Sequence, residues 1–392
     1  MRTWISVVAL ALTSVVAAAR TLPPAKESRV ARVDIVAKEI LAEDTRPTQI
    51  EHPGATFISV HFDKVKLGEG DSLTVRSDRS DGRSWSYTKE TMLPSGTFWS
   101  VAIPGDGTRT KVIIELTNVS GKADYRVDRY SAGLSNDRIV AENKPPSGLL
   151  EICGKDDTQN AICYSVSDPA IYKSGRAVAR LLINGQSACT GWLVGDAGHL
   201  ITNEHCIGSA ADARNVQVEM IAEGATCATN CKTWFACPGT IVATRGQLLK
   251  VSAAKDYALL KLSSTIPKKY GYLKLRKAGP AVKGERAYIP QHPRGEGRRI
   301  AVVSTEPADQ TAPTPGFVHA NSLTEPGCGT SSNDEVGYLG DTDPGASGSP
   351  VLGFSDNAVI ALHHCGGCPN RGIAINKIIP EIKSFLPTSA YK

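Results

Sequence analysis

The sequence predicts an all-β protein in two unequal parts: a small sandwich, then a larger disulfide-braced domain that ends in a helix. Three observations carry this. Apolar and polar residues alternate in short runs separated by Gly, Asp and Ser turns, which is the period-two pattern of half-buried strands. All ten cysteines, from Cys153 to Cys368, lie in the second part, so the first must be held by its own apolar core. The segment 376–386 has the period of about 3.6 residues that marks a terminal helix, and Pro380 is expected to be tolerated there only in the first turn.

Arg2 precedes an apolar stretch from Ile5 to Val16, and Ala17-Ala18-Ala19 offers small residues for cleavage. Residues 1–19 therefore read as an export signal, too short to anchor the chain in a bilayer. In 20–50, Val30, Val33, Ile35, Val36, Ile40 and Leu41 are spaced among charges, as suits an amphipathic helix or a strand draped on a partner; this stretch reads as a pro-segment. From 51 to 131 the strands expected are 57–62, 72–75, 84–87, 98–103, 112–116 and 125–127, a β-sandwich that serves as a pro- or accessory domain. It shows no chemistry of its own, and a binding module, an intramolecular chaperone and a spacer all remain open. Asn118-Val119-Ser120 is a glycosylation sequon in a turn. Residues 132–150, with Asn143-Lys144-Pro145-Pro146-Ser147-Gly148, lack periodicity and read as a linker and processing site. The second domain, 151–392, shows strands at 177–182, 192–194, 216–221, 241–244, 258–262, 287–289, 300–303 and 359–362.

The chemistry lies in three short segments. In Gly345-Ala346-Ser347-Gly348-Ser349-Pro350 a serine sits between glycines on a tight turn, where its hydroxyl is exposed and the Gly345 and Ser347 N–H groups can cradle a developing oxyanion. Thr202-Asn203-Glu204-His205-Cys206 follows the apolar run 199–201 and puts His205 at the end of a strand. Cys189 lies 17 residues before Cys206, a separation that lets a disulfide staple neighbouring strands behind the histidine. Asp256 opens the apolar strand that follows it, 51 residues after His205. Each alone has a bland reading, as a surface turn, a surface histidine or a strand-initiating Asp. Together they stand in the order His, Asp, Ser, with Ser347 as nucleophile, His205 as general base and acid, and Asp256 as the group that orients the imidazole.

That order, with Thr342-Asp343-Pro344-Gly345-Ala346-Ser347-Gly348-Ser349-Pro350-Val351, resembles the chymotrypsin-fold serine endopeptidases, and within them the bacterial-type glutamyl and lysyl endopeptidases. Further motifs that resemble the lysyl endopeptidases are Ala188-Cys189-Thr190-Gly191, Gln291-His292-Pro293 and Leu362-His363 ahead of Gly366-Gly367. The resemblance runs from about Cys163 to the C-terminus. It implies two six-stranded antiparallel β-barrels and a C-terminal helix, with His205 and Asp256 on one barrel and Ser347 on the other. It also implies that Cys153 reaches Cys365 or Cys368, and that Cys163 reaches the Cys227/Cys231/Cys237 cluster. One departure matters. Trypsin-like zymogens carry an Asp before the nucleophile, which pairs with a new N-terminal amine; here that residue is Ala346, so this switch is excluded.

The signal and the ten cysteines fit an oxidising, extracellular location. Cys365-x-x-Cys368 beside His363 and His364, and Cys227-x-x-x-Cys231, could instead hold zinc, a reading that secretion disfavours. No metal or cofactor is expected. A net charge of +5, from 44 basic and 39 acidic side chains, gives no basis for nucleic-acid binding. The expected partners are protein or peptide substrates of a secreted monomer. A protease homologue without activity, acting as a binding or inhibitor protein, is the competing reading. The specificity pocket carries two conflicting signals. Asp341, six residues before Ser347, matches the place where trypsin keeps its S1 carboxylate, which implies Lys or Arg at P1, whereas Thr342 and His363, with His364 as the register alternative, match positions that receive a P1 carboxylate in the glutamyl branch. The acidic P1 is preferred.

Overall fold

A computed structural model describes residues 28–41, 47–80, 82–143, 152–234, 236–305, 318–322, 330 and 332–392. The expected signal, 1–19, and residues 144–150 of the expected 132–150 linker lie outside these residues.

Alternation in the sequence becomes alternation in burial. Along Ser72–Ser77 every second residue is buried, and Leu73 and Val75 face a core that holds Ile58, Val60, Phe62, Val112, Ile114, Tyr125 and Val127. Two antiparallel sheets enclose this core. One runs Ala31–Leu41, Asp124–Gly133, Phe57–Lys66 and Phe98–Trp99, with Ile103–Pro104 also on Phe57–Lys66. The other runs Thr48–Pro53, Arg109–Thr117, Ser72–Ser77 and Ser84–Tyr87. The sandwich therefore draws in strands ahead of residue 51. The apolar pattern at 30–41, which suits helix or strand by sequence, is resolved as strand because Asp124–Gly133 supplies an edge for it to pair with. The stretch that lacked periodicity holds the helix Asn136–Glu142.

The sandwich is joined to the second domain by main-chain pairing. Ser28–Arg29 pairs with Ser187 and Ala188 of the strand Ser187–Val194, and Val30 N–H donates to Gln186 O at 2.8 Å. Three more bonds follow, the second of them buried and the others half-buried: Trp99 N–H to Asn215 Oδ1 (3.1 Å), Ala102 N–H to Gln217 Oε1 (2.9 Å) and Arg83 to Glu219 (3.0 Å). Val30, Phe57, Ala102 and Leu134 from one side share an apolar cluster with Leu182, Ala188 and Trp234 from the other.

The second domain holds two curled antiparallel sheets. In the first, the order is Thr240–Ala243, Val216–Met220, Val178–Ile183, Ser187–Val194, His199–Thr202, Tyr257–Lys261 and Gln247–Ser252. The end strands follow each other closely in sequence, so taking them as one bent strand gives a ring of six. In the second, Arg286–Gln291, Val318–Ser322, Glu335–Tyr338, Asn370–Ala374, Val359–Cys365 and Pro350–Gly353 close on themselves through pairing of Ala287 with Gly353. The all-β, two-barrel expectation holds. The C-terminal helix is Ile375–Ile382, and Pro380 lies inside it, beyond the first turn to which sequence reasoning confined it. Ile375, Ile378 and Ile382 are buried and hold the helix against the strands Val359–Cys365 and Asn370–Ala374 despite the lost N–H.

Disulfides join Cys153 to Cys368, Cys163 to Cys227, Cys189 to Cys206 and Cys231 to Cys237, and Cys365 is also disulfide-bonded. The cysteines considered as zinc ligands are therefore oxidised and offer no thiolate. The grouping of Cys189 and Cys206 with His205 is that same disulfide beside the histidine. Asn118 is exposed after the strand Arg109–Thr117, and the Ser120 hydroxyl of its sequon is bonded to Asp71.

Candidate functional site

The serine turn follows from its residues. In Asp343-Pro344-Gly345-Ala346 the Ala346 N–H donates to Asp343 O at 2.8 Å, Pro344 presets the first corner, and Gly345 takes φ +98° at the second. That is a type II turn, which needs glycine at its third position. Ala346-Ser347-Gly348-Ser349 repeats it: Ser349 N–H donates to Ala346 O at 2.9 Å, with Gly348 at φ +87°. Two such turns in succession leave the Gly345 and Ser347 N–H groups without an acceptor among the described residues. Gly348 is also required by space, since a Cβ there would lie 2.1 Å from Thr190 O.

Thr190 fastens this turn to the first barrel. Its N–H donates to Ser347 O at 2.9 Å and its hydroxyl to Gly345 O at 2.9 Å, while His292 N–H donates to that hydroxyl at 3.0 Å. Its neighbour Cys189 is disulfide-bonded to Cys206, next to His205. Serine and histidine are thereby tied to the same strand.

His205 lies in the turn after His199–Thr202, and Asp256 sits at the start of Tyr257–Lys261 with a left-handed φ of +41°. Both oxygens of the Asp256 carboxylate meet His205. Oδ1 accepts its main-chain N–H at 3.0 Å, and Oδ2 lies 2.7 Å from Nδ1. Asn203 holds the main chain of Asp256 through Nδ2 to O, at 2.7 Å. His205 Nε2 is buried and has no hydrogen-bond partner among the described residues, so no bond to Ser347 Oγ is formed here.

Asp256 has a second histidine. His364 Nδ1 lies 3.2 Å from Asp256 Oδ2, and its Nε2 lies 3.2 Å from Glu335 Oε1, with all three groups buried. Burial alone would raise the Asp256 pKa, but the charges and hydrogen bonds of His205 and then His364 hold it well below the usual carboxylate range. Burial alone would lower the pKa of His364, but its bonds to Asp256 and Glu335 outweigh that and push it up to about 9. His364 is thus an imidazolium clamped between two carboxylates.

Of the residues considered for the specificity pocket, His364 is engaged in this way. His363 lies on the neighbouring side of the strand, with Nδ1 2.7 Å from Tyr338 OH. Burial, then the charges of His364 and His205, hold its pKa down at about 3. The Asp341 carboxylate accepts the N–H groups of Cys153 (3.1 Å) and Asp157 (2.8 Å), and burial raises its pKa to about 7. Thr342 Oγ1 is buried and has no partner among the described residues. Sequence reasoning missed Thr190, Tyr338 and Glu335. Of these only Thr190 had a signal, its place in the Ala-Cys-Thr-Gly motif.

A fold of two antiparallel barrels with His, Asp and Ser at their junction defines a class, the chymotrypsin-fold serine proteases. The model of the trypsin-like peptidase domain matches residues 189–362. A protein from Plasmopara viticola described as secreted RxLR effector protein 73 is 41% identical over 348 residues, covering 86% of this chain and 82% of that protein. The second domain thus carries a trypsin-like peptidase domain. Similar solved structures include the inactive form of the Rv3671c protease (14% identity, TM-score 0.40, 56% of this chain and 94% of that one). Another is a Glu endopeptidase in complex with MPD (18% identity, TM-score 0.39, 60% of this chain and 98% of that one). No helix among the described residues is long and apolar enough to cross a membrane.

Proposed function

We infer that the chain is a secreted serine endopeptidase. Ser347 Oγ attacks a peptide carbonyl while His205 Nε2 takes its proton. The C–N bond then breaks as the imidazolium returns that proton to the leaving amine, and water repeats the sequence on the acyl-Ser347 ester. The Gly345 and Ser347 N–H groups receive the oxyanion, and Asp256 holds Nδ1 so that Nε2 is the basic nitrogen.

The observation that carries this reading is that both Asp256 oxygens are used by His205, while Nε2 and the two N–H groups of the serine turn have no partners among the described residues. Secretion is supported by the expected signal, the disulfides and the relative described as a secreted effector. That relative also favours the second reading, a homologue that binds without cleaving. The test is labelling of the secreted protein by a fluorophosphonate probe, together with digestion of a mixed peptide library. Labelling and turnover that vanish in Ser347→Ala are expected; a wild type that neither labels nor cleaves means the silent homologue is correct.

An acidic P1 is supported by the engaged Asp341 carboxylate and by the Thr342 hydroxyl, which is buried and has no partner among the described residues. A P1 glutamate facing a free, ionised Asp341 would set two like charges in one desolvated pocket, at a cost of several kcal/mol. With Asp341 turned to main-chain N–H groups and its pKa raised, that conflict is relieved.

A further inference from the structure

The oxyanion turn needs something to hold it, and Ala346 removes the carboxylate that a liberated amine would pair with. The structure supplies another clamp. Arg294 and Asp343 form an ion pair, and the Arg294 N–H donates to Pro344 O at 2.6 Å. Both contacts fall on the first two residues of the turn that presents the Gly345 N–H. The fit is close: a Cβ on Gly345 would lie 2.8 Å from Arg294 N and 3.2 Å from His292 O. Arg294 itself adopts φ +52°, ψ +20°, a left-handed conformation uncommon for a residue with a side chain. Such a conformation persists where surrounding structure fixes it, and it is found more often at functional positions.

The segment a processing cut would free is already tied down by other means. Cys153 is bonded to Cys368, and its N–H and that of Asp157 end on Asp341. None of these contacts requires a free α-amine. The Asp343 carboxylate faces Arg294 first, with Asp156 and Arg299 also acting on it, and Glu296 lies 3.6 Å from Arg294 on its other side.

We propose that Arg294 is a positioning residue that holds the oxyanion turn open through Asp343 and Pro344, so that the site is formed in the uncleaved chain. The inference rests on the endopeptidase reading above and adds how the site is kept competent. Removing the Arg294 side chain frees Asp343 at the head of the turn, which lets the Pro344–Gly345 peptide rotate and withdraws one of the two oxyanion donors, while the substrate's other contacts stay in place.

The experiment uses the full secreted chain as wild type, Arg294→Ala, Arg294→Lys and Asp343→Asn, with Ser347→Ala as the blank. The expected result has three parts. Fluorophosphonate labels uncleaved wild-type chain. Arg294→Ala and Asp343→Asn lower kcat on the order of 10²–10³-fold, the loss that follows removal of one oxyanion donor, with KM changed no more than about threefold. Arg294→Lys, which keeps the positive charge beside Asp343, recovers part of the loss. Two outcomes overturn the proposal: kcat within about threefold of wild type in both Arg294→Ala and Asp343→Asn, or labelling that appears only after cleavage near residue 150. A loss of KM, kcat and thermal midpoint together, equal in the Lys and Ala variants, would also overturn it by showing a merely structural role. A wild type indistinguishable from Ser347→Ala is a different failure, since it removes the endopeptidase reading beneath.

Discussion

Replacing His364 by Gln tests the buried charge network behind the site. His364 sits between Asp256 and Glu335, fully enclosed, with its pKa pushed from 6.5 up to about 9. A rise of that size corresponds to about 3 kcal/mol of stability linked to protonation. Because the folded pKa lies above the unfolded one, this stability is fully present below about pH 6.5 and is lost as the pH rises through about 9. His364→Gln removes the cation and leaves two buried carboxylates facing a neutral amide, which costs about 3–5 kcal/mol at pH 6. Urea unfolding of wild type and variant, from pH 6 to 9.5, reads both effects, and their difference isolates this group from others that titrate nearby. The gap should be widest at pH 6 and shrink by about 3 kcal/mol toward pH 9.5. A variant within about 0.5 kcal/mol of wild type at pH 6, or a gap that does not change with pH, would refute the imidazolium assignment.

Three further outcomes are expected. Thr342→Val and His363→Phe should each lower kcat/KM for P1 Glu substrates by at least about tenfold, roughly the worth of one hydrogen bond to a charged group, whereas Asp341→Ser should leave P1 Glu cleavage in place; cleavage confined to Lys and Arg and abolished by Asp341→Ser reverses the assignment. The double variant Arg83→Ala/Gln217→Ala removes two of the polar contacts between sandwich and barrel, and calorimetry should then resolve two unfolding transitions or a lowered single one. Replacing both Cys153 and Cys368 by Ser should destabilise the chain by about 2–5 kcal/mol in chemical unfolding, because the bridge closes a loop of 215 residues.

What the sequence made legible is what local rules decide. Asp-Pro-Gly-Ala and Ala-Ser-Gly-Ser are turn sequences whose glycines must take positive φ, and the structure gives them φ +98° and +87°. An Asp that opens an apolar strand and a histidine that ends one are likewise readable where they stand. The choice between His363 and His364 was not readable, for a specific reason. In Val359–Cys365 adjacent residues face opposite sides, but the pairing with Asn370–Ala374 shifts register between His363 and Cys365. A bulge there changes which histidine points at Asp256, and nothing in the local sequence announces it. Glu335 reaches His364 only because Glu335–Tyr338 pairs with Asn370–Ala374, which in turn pairs with the histidine strand.

That difference bears on what the distant groups do. A charged histidine and two carboxylates, all enclosed, are an expensive way to fill a barrel junction, since hydrophobic residues of similar volume would cost nothing in desolvation. The same holds for Arg294 in a left-handed conformation beside the serine turn. Both features break the local rules that the rest of the chain follows, and both end on the groups proposed to do the chemistry: His364 on Asp256, Arg294 on the turn that presents Gly345. Departures from local consistency are expected where function is retained at the expense of stability. The corresponding double variant, His364→Gln with Arg294→Ala, separates the two supports. If each acts on its own half of the site, their losses in kcat should multiply; a combined loss no larger than the greater single one would show that they hold the same element.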